Sequence, residues 1–261
     1  MDRHTFLEQY AIIRHAEGRG CGDPEYYRAL PYRDLSGRNA GQWKIRASSY
    51  RCFEHCVLRP ESRRLRRPLQ ILDLGAGNGW MSNRLTAQGH KAIALDIFTD
   101  RLDGLGATRH YQKQFPAVAA EFDRLPFRSH SFDLLVFNSS LHYSSDYRKT
   151  LLEARRCLTA TGLLAVIDSP IYKAPEHGEQ MRAERRVYFE KTYGFASDAL
   201  RSIEYLDEPA LAALAAELGI EWSRLYPWYG WRWALRPVRA RLKKQRPPSA
   251  FMILTARFRA Q

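Results

Sequence analysis

Three glycines follow a short apolar run and an acidic residue in the segment QILDLGAGNGW, residues 70–80. The apolar run predicts a buried strand, and Gly75, Gly77 and Gly79 predict a turn after it. Backbone N–H groups of such a turn can approach an anion, helped by the N-terminus of the next helix. Ligands of open α/β sheets collect at the carboxyl ends of the strands. The segment therefore predicts a site for a nucleotide-like cofactor.

The glycine spacing separates two classes of cofactor. A dinucleotide-binding turn has the pattern G-x-G-x-x-G/A, which would place Gly or Ala at position 80. Trp80 stands there, and the third glycine falls one residue early, at Gly79. The spacing disfavours a dinucleotide and leaves S-adenosylmethionine, which binds to a similar turn.

Four segments, in this order, are similar to the class I S-adenosylmethionine-dependent methyltransferases, in the branch that acts mainly on small molecules. They are LDLGAGNG (72–79), AIALDIF (92–98), AEFDRLPFRSHSFDLLVFNSSLHY (120–143) and LLEARRCLTATGLLAVID (151–168). The resemblance covers roughly residues 68–170. It implies that the chain is an enzyme and that S-adenosyl-L-methionine is its cofactor.

The resemblance also implies a set of cofactor-binding residues. Asp96 would accept hydrogen bonds from the ribose hydroxyls, Asp123 would accept from the adenine amino group, and Asn138 would face the methionyl part. Asp73 would order the loop or bind the cofactor's amino group. The full set is Asp73, Gly75, Ala76, Gly77, Asp96, Ile97, Phe122, Asp123, Arg124 and Asn138.

Methyl transfer is a single in-line displacement, so alignment of the two reactants can supply much of the rate without a special residue. A hydroxyl acceptor would benefit from a general base. His142 and Asp168 are the candidates, with His177 as a further one. A packing or loop role is the alternative interpretation of His142.

We expect the acceptor pocket to be closed by two regions outside the sheet, residues 1–67 and 169–206. Tyrosines there could form aromatic walls for a small molecule, or could pack in the ordinary way. The candidates are Tyr10, Tyr27, Tyr172 and Tyr193. The segment IIRHAEGRG, residues 12–20, could place an arginine on the cofactor's carboxylate, or could be a helix C-terminus with basic residues.

Short apolar runs alternate with helical segments from residue 69 onward, which indicates a parallel sheet covered on both faces. The predicted fold is α/β, a doubly wound, mostly parallel, seven-stranded Rossmann-like sheet. An N-terminal helical cap spans 1–67 and the methyltransferase domain spans 68–261, with a substrate-cap insertion at 169–206. Gly162 is expected to form a tight turn before the fifth strand, and a last strand is expected within SAFMILTARF.

Composition limits the class of protein. Of the 261 residues, 45% are hydrophobic, which favours a folded core over disorder. The N-terminus lacks a signal-peptide apolar stretch, and no run reaches the roughly 18 apolar residues of a membrane span. Four cysteines are too few for a disulfide scaffold, and Cys52, His55 and Cys56 form a poor zinc signal. We expect a cytoplasmic protein without a bound metal.

The net charge of +13 is concentrated near the C-terminus, where residues 232–261 hold nine Lys/Arg and no acid. Basic residues recur at helical spacing opposite Trp231, Leu235, Val238 and Leu242. Segment 232–246 could contact an anionic membrane surface or RNA phosphates, or could be a connector that packs its apolar side on the domain. Pro237 interrupts the helix and weakens the first two interpretations.

The leading hypothesis is methyl transfer from S-adenosylmethionine to O, N or C of a small-molecule acceptor. An RNA methyltransferase is a second hypothesis, motivated by charge. Against it, NSSL at residues 138–141 lacks the N/D-P-P-Y type of turn, and no RNA-binding module is recognisable, so nucleic acid is an unlikely partner. A third hypothesis is a non-catalytic partner subunit that binds S-adenosylmethionine. Oligomeric state stays open.

Overall fold

A seven-stranded sheet forms the centre of the protein. The structure is a computed structural model that describes residues 3–196 and 201–259. The strand order is β3-β2-β1-β4-β5-β9-β8. The strands in this part of the chain are β1 (Gln70–Leu74), β2 (Lys91–Asp96), β3 (Ala117–Ala119), β4 (Phe132–Asn138), β5 (Leu158–Ile167), β6 (Ile171–Tyr172), β7 (Leu206–Asp207), β8 (Ile220–Leu225) and β9 (Ile253–Phe258).

The sheet direction agrees with the predicted fold class. Strands β1 to β5 pair in parallel, while β9 pairs antiparallel with both β5 and β8. The predicted last strand, β9, therefore lies one position inside the sheet edge. The prediction of a mostly parallel seven-stranded α/β sheet is confirmed.

Helices cover the sheet and form the N-terminal region. They are α1 (Arg3–Ala16), α2 (Pro24–Ala29), α3 (Ala40–Phe53), α4 (Arg59–Leu65), α5 (Trp80–Ala87), α6 (Tyr147–Cys157), α7 (Pro175–Tyr193), α8 (Glu208–Leu218), α9 (Trp231–Ala234) and α10 (Arg236–Leu242). Local residues set several ends: the Asp146 and Asp207 side chains cap α6 and α8, and Gly219 ends α8 in the left-handed region. Within the described ranges, no helix is long and apolar enough to cross a membrane.

Both faces of the sheet are apolar and buried. Every residue of β4 is buried, and its side chains alternate between two core clusters. Leu134 and Val136 join Ile71 on one side, whereas Leu135 and Phe137 lie on the other. This near-continuous burial is typical of parallel strands between helices. It holds the carboxyl ends of β1, β2 and β4 side by side.

The expected tight turn at Gly162 is present. A Cβ on Gly162 would lie 3.1 Å from the Leu158 Cβ and 3.0 Å from the Thr159 carbonyl oxygen, so the chain folds back between these residues. β5 begins directly after α6, at Leu158, and its pairing with β4 shifts across the turn, because Phe132 faces Leu158 while Leu134 already faces Leu163. Gly162 does not have a positive φ, so the turn forms without one.

The C-terminal basic segment, residues 226–246, also differs from the expected connector. Its apolar side does not pack on the domain. The exposed large side chains of this segment are Tyr226, Trp228, Trp231, Leu235, Val238 and Leu242.

The insertion after β5 is held by a helical glycine. A Cβ on Gly178 of α7 would lie 2.2 Å from the Tyr205 ring, while a Cβ on Gly41 of α3 would meet open space. We expect Gly178→Ala to destabilise the protein by roughly 1–3 kcal/mol through overpacking. Gly41→Ala, the matched helical control, should stabilise by about 0.5–1 kcal/mol.

Urea unfolding followed by circular dichroism measures both free energies of unfolding. Equal effects of the two substitutions would contradict the close packing of α7 on Tyr205.

Candidate functional site

A cavity of about 370 Å³ lies at the carboxyl ends of β1, β2 and β4, beneath α1 and α3. This volume suits a cofactor or small ligand. Of the residues predicted to bind the cofactor, those lining the cavity are Gly75, Ala76, Gly77, Asp96, Ile97, Phe122, Asp123 and Asn138. Eight of the ten residues predicted to bind the cofactor therefore line the cavity.

The glycine turn lines the cavity in a conformation that L side chains rarely adopt. Gly75 has φ +73°, and a Cβ there would lie 2.3 Å from the Ser140 Cβ. Its N–H donates to the Leu95 carbonyl at 2.8 Å, which ties the turn to β2. Gly79, also at positive φ, leads directly into α5. Ser140 fills the space beside Gly75, so only glycine fits there, whereas a Cβ on Gly77 would meet no atom closer than the Asp103 carbonyl oxygen at 3.7 Å, which leaves that part of the turn open to a ligand.

Asp96 is the acidic residue that faces this turn. One carboxylate oxygen accepts from the Gly77 N–H at 2.7 Å and the other from the Phe98 N–H at 2.8 Å. Burial raises the pKa of Asp96, while the hydrogen bonds from Phe98, Gly77 and Ile97 oppose that rise. Each oxygen keeps a lone pair for a ligand hydroxyl. Asp96 is therefore a preoriented acceptor inside the cavity.

Asp123 and Asn138 extend the wall beyond Asp96. The Asp123 carboxylate forms an ion pair with Lys149 at 2.6 Å and is partly exposed. Asn138 is buried at the last position of β4. The neighbouring Arg124 is exposed and does not line the cavity.

Asp73 lies behind the turn and does not line the cavity. Its Oδ2 accepts from the Ser82 hydroxyl of α5 at 2.8 Å, and its Oδ1 is buried without a hydrogen-bond partner. Burial raises the pKa of Asp73 to about 7, helped by the nearby Asp96 and opposed by Ser82. The loop-ordering interpretation of Asp73 fits these contacts.

Arginines from the N-terminal region line the opposite side of the cavity. Arg14 forms an ion pair with Asp103, and Arg19 forms one with Glu17 at 2.9 Å. All three of Arg14, Arg19 and Asp103 line the cavity. Segment 12–20 therefore contributes two cationic residues to the cavity wall. Asp103 carries no sequence signal of its own, because it lies in an irregular loop after β2.

Arg46 of α3 is a further cavity residue that the sequence did not reveal. Its guanidinium donates to the Ser139 hydroxyl at 3.4 Å and lies 5.5 Å from the Trp43 ring centroid. Burial and the nearby Arg19 lower its pKa, and Asp168 opposes this. Among residues 3–196 and 201–259, no carboxylate forms an ion pair with Arg46. A lone arginine in a helix has no motif that could have revealed it.

His142 does not line the cavity. Its Nδ1 lies 3.3 Å from the Ser169 hydroxyl. Burial lowers the pKa of His142 to about 3, with Arg185 and Arg46 adding to the shift. The imidazole is neutral at physiological pH and is a weak base.

Asp168 follows β5 and lies behind Arg46, outside the cavity wall. Its backbone is at φ +52°. Oδ1 accepts from the Ser49 hydroxyl and lies 3.4 Å from the Tyr229 hydroxyl, whereas Oδ2 is buried without a hydrogen-bond partner. Burial raises the pKa of Asp168, against the Ser49 hydrogen bond and the Arg46 charge. Asp168 is a buried carboxylate beside a cavity cation.

The predicted tyrosines separate into different environments. Tyr10 lines the cavity and packs edge-on to Phe98 at 5.0 Å. Tyr27 does not, because its hydroxyl is held by the Leu102 carbonyl at 2.6 Å. Tyr172 is buried under Arg246, and Tyr193 stacks at the end of α7, also outside the cavity wall.

The remaining candidates lie elsewhere. His177 is half-buried in the first turn of α7 and does not line the cavity. In the part of the chain that the structure describes, no group of three or more His, Cys, Asp or Glu side chains could hold a metal ion.

Comparison with known proteins identifies the central region. The methyltransferase domain family matches residues 72–166. The malonyl-[acyl-carrier protein] O-methyltransferase of Legionella pneumophila is 30% identical over 99 residues, which are 37% of this chain and 35% of that protein. The Geobacter sulfurreducens protein of the same name is 34% identical over 104 residues, 38% of each chain. The chain thus covers only about a third of the curated relatives.

Solved structures share the fold at low sequence identity. The 1,6-didemethyltoxoflavin-N1-methyltransferase of Burkholderia thailandensis, solved with 1,6-didemethyltoxoflavin and S-adenosylhomocysteine, superposes with a TM-score of 0.51 and 19% identity, covering 92% of each chain. An S-adenosylmethionine-dependent methyltransferase of Mesorhizobium loti has a TM-score of 0.53 and 17% identity, covering 73% of this chain and 91% of that one. These likenesses extend the fold match beyond residues 72–166.

The raised pKa of Asp73 predicts a pH-dependent stability. The folded-state value near 7 lies above the ordinary carboxyl value, so the folded state binds the proton more tightly than the unfolded state. The stabilisation that protonated Asp73 contributes is therefore fully present below about pH 4 and is lost as the pH rises to about 7. Asp73→Asn should not show this loss. Between about pH 4 and pH 7 its free energy of unfolding should therefore rise, relative to that of the parent, by on the order of 4 kcal/mol.

Denaturant unfolding between pH 4 and pH 8 tests this, with Asp146→Asn, an exposed helix-cap position, as the control for loss of a carboxylate. A constant difference between Asp73→Asn and the parent across the range would refute it.

Proposed function

We propose that this protein, whose residues 72–166 belong to the methyltransferase domain family, transfers a methyl group from S-adenosylmethionine to a small-molecule-type acceptor. The observation that carries the proposal is the Asp96 carboxylate, held by the N–H groups of Gly77 and Phe98 inside the cavity beside the glycine turn. A turn without side chains and a fixed hydroxyl acceptor suit a nucleoside cofactor.

The residues present fit S-adenosylmethionine. Gly77 lines the cavity, and a Cβ on it would meet no atom closer than the Asp103 carbonyl oxygen at 3.7 Å, so a ligand there meets bare backbone. Asp96 would hold the ribose and Asp123 the adenine amino group, while Asn138 would face the methionyl part. Arg14 and Arg19 already have carboxylate partners, and either could shift toward the methionyl carboxylate.

The bound cofactor supplies an electrophilic methyl group on a sulfonium. The protein's part is to hold the acceptor in line with that group and to keep water away, and both can be done without a general base. Phe6, Tyr10, Trp43 and Phe122 line the cavity with aromatic surface, which would exclude water. We therefore assign catalysis chiefly to alignment.

We further propose that the acceptor carries an anionic group that binds Arg46. This guanidinium reaches the cavity beside Ser139, at the end of β4, and has no carboxylate ion pair among the described residues. The Legionella and Geobacter relatives are malonyl-[acyl-carrier protein] O-methyltransferases, and since a malonyl group carries a carboxylate, this supports an anionic acceptor.

Asp168 would then be a positioning residue rather than a base. Its charge attracts Arg46 from behind, while Ser49 and Tyr229 hold its Oδ1. His142 suits neither task, because its low pKa leaves it a weak base.

Methyl transfer can be tested directly with labelled S-adenosylmethionine. The acceptor panel should include malonyl thioesters, neutral heterocyclic amines and a transcribed RNA. Label in an anionic small molecule would support the proposal. Label in RNA would contradict it and favour the RNA-methyltransferase hypothesis. Tight binding of S-adenosylhomocysteine in calorimetry with no transfer to any acceptor would favour the non-catalytic partner subunit.

The Asp96 assignment predicts a loss of cofactor affinity. Asp96→Asn keeps the shape of the side chain but removes its charge, so hydrogen bonds from ribose hydroxyls weaken. We expect S-adenosylhomocysteine affinity to fall roughly 10–100-fold in calorimetry. Glu217→Gln, which removes an equal charge from an exposed ion pair with Arg148, should leave the affinity unchanged. Unaltered affinity in Asp96→Asn would refute the assignment.

The roles of Asp168 and His142 predict different kinetics once an acceptor is known. Asp168→Asn should raise KM for the acceptor about tenfold or more, because Arg46 loses its countercharge, while S-adenosylhomocysteine affinity stays within about twofold. His142→Gln should keep kcat within a few fold and leave the pH profile near pH 6.5 unchanged. A large loss of kcat confined to His142→Gln would instead make the histidine the catalytic group.

A further inference from the structure

The C-terminal basic segment presents an apolar surface to solvent. Trp231 is 75% exposed, Leu242 79%, Trp228 60% and Val238 55%. Exposed apolar side chains are ordinary when scattered, but a contiguous set marks a binding surface. The set on this segment, called the outer face below, is Trp228, Trp231, Leu235, Val238 and Leu242.

Helical spacing places these side chains on one side. From Trp231 onward each follows the last by three or four positions, the repeat of one helix face. Trp228 precedes the helix and contacts the Trp231 ring, with the centroids 5.0 Å apart. Helix α10 follows α9 after a single residue, Leu235, so Pro237 falls in the first turn of a helix, where proline is tolerated. The interruption expected from the sequence is therefore slight, and the outer face is continuous.

The opposite side of the segment is anchored to the domain. Trp233 contacts Tyr229 and Phe251, with ring centroids 5.0 Å and 5.2 Å away. The Arg236 guanidinium lies 3.2 Å from the Trp233 ring centroid and donates to the Ser249 carbonyl at 2.8 Å. Trp233 thus holds the segment on the domain, while Trp228 and Trp231 face outward. The outer face is therefore exposed even though the segment itself is packed in place.

Cations flank the outer face. Arg232, Arg239 and Lys243 each follow an apolar member by one position, which is about 100° around the helix. All three are exposed, and none has an ion-pair partner among residues 3–196 and 201–259. From residue 222 to residue 261 the chain contains no Asp or Glu. The surface therefore combines aromatic and aliphatic side chains with uncompensated positive charge.

We propose that the outer face is a peripheral binding surface for anionic lipid membranes. Tryptophan and leucine would enter the headgroup and upper acyl region, while the flanking arginines and lysine would contact lipid phosphates. RNA phosphates would use the cations but would leave Val238 and Leu242 in water. An acidic lipid surface uses both features at once, and for this reason we favour it.

Tyr229 links this surface to the acceptor side of the cavity. Its hydroxyl lies 2.8 Å from the Ser49 hydroxyl and 3.4 Å from Asp168 Oδ1. A membrane bound to the outer face would therefore contact the segment that also holds Asp168.

Vesicle sedimentation tests the surface without any methyl acceptor, so its result is independent of the proposed function. The full chain should sediment with phosphatidylglycerol vesicles and not with phosphatidylcholine vesicles. Arg232→Gln combined with Arg239→Gln should weaken partitioning by roughly thirtyfold, and Leu242→Ser by on the order of tenfold. Calorimetry with S-adenosylhomocysteine checks in parallel that each variant keeps its fold and its cofactor site.

Matched controls remove equivalent groups elsewhere. Arg63→Gln with Lys91→Gln deletes two exposed cations, and Leu35→Ser deletes an exposed leucine; each should keep partitioning within about twofold. Equal losses in tests and controls would overturn the proposal. So would binding to poly(U) RNA, unaffected by Leu242→Ser, without vesicle binding. A dimer dissolved by Leu242→Ser, again without vesicle binding, would assign the face to a second copy of the chain.

Discussion

The hydrogen bond from the Gly77 N–H to the Asp96 carboxylate, 2.7 Å long, is the contact on which the site depends. It joins the turn after β1 to the end of β2, and the Gly75 N–H reinforces the junction through the Leu95 carbonyl. Both groups are only partly exposed, so moving the turn would leave the Asp96 carboxylate without its donors in a site with little access to water. The parallel register of β1 with β2 therefore fixes both halves of the cofactor wall together.

Charge compensation explains why the sheet alone does not make the site. Asp96, Asp103 and Asp123 bring negative charge to the cavity, and the sheet offers no cation in return. Arg14 and Arg46 come from α1 and α3, outside residues 72–166. Arg14 neutralises Asp103, whereas Arg46 has only the more distant Asp168. The N-terminal helices thus set the charge that an acceptor would meet.

The parts of the site that the sequence revealed are those that local rules determine. The glycine turn, Asp96 and Asn138 follow strands of obvious apolar pattern, so their placement at one edge could be predicted. Arg46 and Asp103 could not, because tertiary packing rather than spacing brings them to the cavity. Tyr27 was wrongly placed in the pocket wall for the same reason. Its aromatic side chain suits such a wall, but its hydroxyl binds the Leu102 carbonyl.

The C-terminal basic segment shows why amphipathic pattern alone does not say which side is inside. Its tryptophans are alike in sequence, yet Trp233 is covered by Tyr229 and Phe251 while Trp231 faces solvent. The deciding contacts come from Phe251, far along the chain, and from Arg236, which covers the inner ring instead of joining the outer cations. Because Tyr229 also approaches Asp168, the inward side is held by the residue that follows β5. The apolar outer face is thus the side of the segment that stays exposed when the inward side packs on the domain.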